Sequence, residues 1–65
     1  MPQYRIIDDK QAVEATTEHA RDEQADQWFT GWVLEGGPSR GTRPHHLERQ
    51  DGSAWTNVAS WVVAE

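Results

Sequence analysis

A mainly β fold, a small antiparallel meander or half-open barrel of about five strands, is what this sequence predicts, and three observations carry the prediction. Short runs of aromatic and β-branched residues recur at 4–7, 28–34 and 58–64. Turn signals separate them: Asp8-Asp9-Lys10, the stretch 36–44 with three glycines and two prolines, and Asp51-Gly52. The spacing is that of short strands, and no internal repeat points to another architecture.

Tyr-Arg-Ile-Ile at 4–7 is a short strand by residue type. The segment 11–27 carries two readings. Ala, Glu, Gln and Arg suit a helix, and Asp8 with Gln11 resembles a capping box, so α+β with a helix near 9–26 is the alternative fold. Against it, only Val13, Thr17 and Ala20 line up at helical spacing, and Glu14–Glu18 and Glu18–Asp22 are like-charge pairs. The residues favour a strand at about 12–19, then an acidic turn or short helical segment near 20–27. Trp-Phe-Thr-Gly-Trp-Val-Leu at 28–34 reads as a strand whose faces are Trp28/Thr30/Trp32/Leu34 and Phe29/Gly31/Val33. Residues 45–50 and 53–57 flank Asp51-Gly52 as a hairpin with a type I′ turn. An apolar strand at 58–64 completes the set.

The chain of 65 residues is read as one complete domain, 1–65. So short a chain buries about 60% of its unfolded surface, and it holds no cysteine to staple the fold or supply a thiolate. Four tryptophans must supply much of the core. No apolar run approaches a signal-peptide core or a membrane span, so a cytoplasmic location is expected. Charge is unevenly placed. Residues 1–35 hold eight acids against Arg5, Lys10 and Arg21, a balance of −5, whereas three acids and three arginines cancel in 36–65. The acidic half disfavours nucleic acid, since phosphate affinity rests on Lys and Arg.

The chemistry-bearing residues exclude more than they propose. His45 and His46 are adjacent, and neighbouring strand residues point to opposite faces, so no metal site is expected. The carboxylates form a solvated run rather than a pair in a cleft, the serines lack a nucleophile-elbow context, and the glycines of 36–41 lack the Gly-Lys-Ser/Thr of a phosphate loop. No catalytic residue, cofactor or enzyme activity is expected. Arg40, Arg43 and Arg49, with His45 and His46 between them, form the one basic patch. A small sheet can hide two or three large rings, so some of Trp28, Trp32, Trp55 and Trp61 should stay outside the core, and tryptophan beside arginine is the composition of protein-binding hot spots. The expected partner-binding residues are Trp32, Arg40, Arg43 and His45, a loop-plus-aromatic surface.

The opening Tyr-x-Ile strand, the acidic second segment, Trp-Phe-Thr-Gly-Trp-Val at 28–33 and Asn-Val-Ala-Ser-Trp-Val-Val at 57–63 together resemble, in style, the short orphan proteins of actinobacteria and their bacteriophages. That resemblance implies an accessory protein that binds a host macromolecule, and it transfers no functional residue. The sequence thus points to a small non-catalytic protein-binding module, a phage-type modulator or inhibitor of a host protein. A structural homo-oligomer and an acidic DNA mimic are the alternatives.

Overall fold

The computed structural model describes residues 1–62, with residues 38 and 39 described by backbone alone. Strands β1 (Gln3–Asp8) and β2 (Val13–Glu18) form a first hairpin. Helix α1 (Asp22–Glu35) and a single helical turn, α2 (Pro38–Gly41), follow. Strands β3 (His45–Asp51) and β4 (Ala54–Trp61) form a second hairpin. The strands lie in the order β2-β1-β3-β4, and every neighbouring pair is antiparallel. The result is mostly β, but the sheet has four strands, does not close, and carries a helix in place of the expected fifth strand.

The helix is the main correction. Residues 28–34 alternate well enough to pass for a strand, yet Ala25, Phe29 and Val33 recur every four residues, and the helix buries all three. The period of four needs Ala25 to be visible, and it lies outside the aromatic run. The acidic segment supplies the first turn: Asp22 and Glu23 sit at the positive end of the helix, where the N-cap residue Arg21 gives no side-chain hydrogen bond. At the far end Gly37 adopts φ +65°, the left-handed conformation that commonly terminates a helix.

The strand at 12–19 is present as β2, so the helix near 9–26 is replaced by one that begins at Asp22. Asp8 does not cap a helix. Its Oδ1 accepts the backbone N–H of Lys10 at 2.8 Å and of Ala12 at 2.9 Å, which closes the β1–β2 turn, with Gln11 at φ 65°. The segments 53–57 and 58–61 are one strand, interrupted only by a bulge: Glu48 faces Asn57 and Leu47 faces Ala59, leaving Val58 unmatched. Residue 63 onward lies outside the described residues. In the β3–β4 turn, Asp51 pairs with Ala54, and only Gly52 has positive φ, the pattern of a type II′ turn rather than I′.

Alternation sorts the sheet into two faces. Tyr4, Ile6 and Leu47 lie under α1 and form one buried cluster with Ala25, Phe29 and Val33. Ala15, Ala59 and Trp61 pack at its margin. On the opposite face lie Arg5, His46, Glu48, Gln50 and Trp55, and no described helix covers them. A polar network ties the start of α1 to three strands. Tyr4 Oη donates to Asp22 Oδ1 at 2.7 Å, and Arg49 Nη1 donates to Asp22 Oδ2 at 2.6 Å. Arg49 also reaches both oxygens of Asp51, which accepts from Thr56 Oγ1 at 2.7 Å.

Candidate binding surface

The four tryptophans are all half-buried, so the filled interior belongs to Tyr4 and Phe29 instead. Trp28 and Trp32 stand one helical turn apart on the flank of α1. Between them Gly31 leaves a gap in which an added Cβ would meet nothing within 4 Å. Gln27 and Glu35 complete the rim of an open groove of about 280 Å³.

The loop after α1 folds back onto this groove. The Arg40 guanidinium carbon stacks 3.9 Å from the Trp32 ring centroid while Nη1 donates to the Trp32 carbonyl at 2.9 Å. Its stem crosses the helix end where Gly36 has no side chain; a Cβ there would collide with it. The helical turn α2 is thereby held against α1. Trp61 at the end of β4 fixes the other side of the loop, its Nε1 donating to the Gly41 carbonyl at 3.1 Å. Among the described residues Arg40 has no carboxylate partner, in contrast to Arg5 and Arg49.

The structure places the four expected residues unequally. Trp32 and Arg40 are in contact, and His45 meets Trp32 edge-on, with ring centroids 5.3 Å apart. His45 is fully buried, however, so its side chain is a support for Trp32 and no part of an outer surface. Its Nδ1 donates to the Arg43 carbonyl at 2.9 Å, and its Nε2 is buried with no hydrogen-bond partner among the described residues. Arg43 itself is exposed and acts towards Asp8. The Asp8 carboxyl lies below its ordinary range, chiefly through the Ala12 N–H and further through Lys10 N–H, Arg43 and His45, against the opposing effect of burial. Arg49, at the other end of β3, belongs to the Asp22 network, so the expected single basic patch is divided. His46 turns to the open face, where Nδ1 and Ser60 Oγ are 2.9 Å apart.

Trp28, Gly31, Gly36 and Trp61 lie at this surface but outside the four expected contact residues, although Trp28 and Trp61 are among the tryptophans expected to keep area outside the core. A helical reading of 28–32 would have added Trp28 and Gly31 to the four, since Trp28 and Trp32 are neighbours only at a spacing of four. Trp55 stands apart on the open face, under the Arg5 guanidinium at 4.1 Å, with Arg5 Nε also bonded to Glu48 at 2.7 Å.

Together the fold and this surface define a two-layer ββαββ domain with an aromatic groove on its helix. No protein family, curated protein or solved structure matches the chain.

Proposed function

We propose that this protein is a small, non-catalytic protein-binding module whose contact surface is the Trp28–Gly31–Trp32 groove capped by Arg40. One observation carries the reading: Trp28 and Trp32 are left half-exposed around a gap into which Gly31 puts no side chain. Large rings held rigidly beside an arginine are the composition from which binding hot spots are built. On the same helix, Glu23, Asp26 and Glu35 belong to the half of the chain with a balance of −5. The partner is therefore a protein with a basic surface that presents an apolar or aromatic side chain to the groove, and its approach is steered by charge. The resemblance to phage and actinobacterial orphans directs the search to a cytoplasmic host protein, whose activity the bound module modulates.

The test is a groove-filling substitution in place of a truncation. Gly31→Gln puts a neutral, helix-favouring side chain into open space, so the fold and the charge are kept. Host protein is captured on the wild type by crosslinking, identified, purified and titrated against both forms. Binding weakened about tenfold or more by Gly31→Gln supports the groove. Equal binding by the two forms rejects it.

A further inference from the structure

The sheet order leaves two edges, the outer sides of β2 and β4, and each presents backbone N–H and C=O groups that no neighbouring strand takes up among the described residues. The two edges are built differently. Strand β2 has six residues, two of them Glu14 and Glu18, and a register shift against β1. Charges and irregular pairing are the devices that keep an edge from recruiting another strand. Strand β4 has eight residues, the longest run in the sheet, and none is ionisable, Pro or Gly. The uncharged stretch extends over 53–64 in the sequence. Its one defensive feature is the bulge at Val58, which leaves a regular arm on either side.

We propose that two copies of this chain pair antiparallel through their β4 edges, joining two four-stranded sheets into one continuous sheet of a homodimer. Charge decides the occupant. Two identical chains meeting through residues 1–35 would oppose a balance of −5 with a balance of −5. Meeting through β4 joins edges that belong to the half in which acids and arginines cancel, and it keeps the acidic strand β2 at the far side of each sheet. A two-fold axis makes the contact self-complementary, strand against the same strand, and closes it at two copies. The backbone groups of both edges then find partners, and Val62, 78% exposed beyond the end of β4, lies in line to be covered. The groove on α1 is left open in both copies, so dimerisation and partner binding are independent.

Sedimentation equilibrium of the full chain from micromolar to millimolar concentration tests the proposal, with Asn57→Lys as the edge-breaking variant. Asn57 is exposed on β4 and faces Glu48 on β3, so a lysine there gains a cross-strand carboxylate in the monomer while it charges the edge. The wild type is expected at twice 7.4 kDa, and Asn57→Lys, with an unchanged circular dichroism spectrum, is expected to raise the dissociation constant by about tenfold or more. Glu14→Gln on the other edge is expected to leave the wild-type association unchanged. Amide exchange of the wild type keeps the test decisive even if the variant does not fold: β4 amides should gain protection as concentration rises, and β2 amides should not. A wild type that stays at 7.4 kDa throughout, an Asn57→Lys chain that folds and dimerises equally, or protection gained on β2 in place of β4 would each overturn the proposal.

Discussion

The two faces of the sheet are held by different forces. Under α1, six residues form a dry cluster: Tyr4, Ile6, Leu47, Ala25, Phe29 and Val33. On the opposite face Ile7 is buried, but Arg5 spans from Glu48 to Trp55 through ionic and cation–π contacts. Burial of apolar area is the dominant favourable term in folding, whereas an ion pair near the surface contributes little. The covered face should therefore determine whether the chain folds. The open face should tolerate change. Four measurements can break or sharpen that contrast.

The largest effect belongs to Phe29→Ala. The ring is 2% exposed at the centre of the helix–sheet contact, and removing it leaves a cavity bounded by Tyr4, Ile6 and Leu47. A cost of about 3–5 kcal/mol is expected, comparable to the whole stability of a domain this small. Chemical denaturation should show a largely unfolded chain in water. A cooperative transition within about 1 kcal/mol of wild type would show that the helix is not the support of the sheet.

Tyr4→Phe comes next, at about 1–2 kcal/mol, because it removes the hydroxyl that donates to Asp22 and keeps the ring. Its pH dependence is more diagnostic than its size. The Tyr4 hydrogen bond first, and then Arg49, hold the Asp22 carboxyl below its ordinary value, so its contribution is complete above about pH 4 and is lost as pH falls through the lowered pKa. Burial first, and then Asp22, push the Tyr4 hydroxyl above 10.0, so its contribution is present below that pH and is lost as pH rises through the raised pKa. In Tyr4→Phe the alkaline loss should disappear, and the acid loss should still begin at about pH 4 but be smaller, because the largest cause of the Asp22 shift is gone. Thermal unfolding across the pH range reads both limbs.

How much of this was legible in the sequence follows from the same contrast. Strands β1 and β2, the β3–β4 hairpin and the opposite orientations of His45 and His46 could be read, because alternation and turn residues are local signals. Helix α1 was not, because its apolar stripe is thin and Trp28, Phe29, Trp32, Val33 and Leu34 crowd into a run that also satisfies alternation. Only packing on the sheet decides between the two periods. The contact between Trp32 and Arg40 joins residues on a helix and on a loop that returns across Gly36, and no spacing rule encodes that return. The burial of His45 depends likewise on where the helix lies.

Gly31→Ala probes the side of α1 that faces neither layer. Glycine inside a helix costs about 0.8–1.0 kcal/mol relative to alanine, and the added methyl group meets nothing within 4 Å. A gain of that order in urea denaturation is expected. A loss would mean that the groove is filled by the chain itself, with Trp28 and Trp32 closing over the gap.

The smallest effect falls on the open face and is the most informative about it. Arg5→Met keeps the length and apolar stem of the side chain while removing the Glu48 ion pair and the cation over Trp55. The Arg5 and Glu48 side chains are 26% and 17% exposed, so solvent screens the pair only in part, and a cost of about 0.5 kcal/mol is expected. Raising the salt concentration should erase most of the difference between variant and wild type, since the surviving Met–Trp55 contact is apolar. A loss of about 2 kcal/mol or more would instead show that Arg5 holds β1 to β3, and the open face would then be a second structural layer in polar form. The small, salt-sensitive outcome leaves the covered face as the source of the fold and the open face as surface on which sequence can change freely.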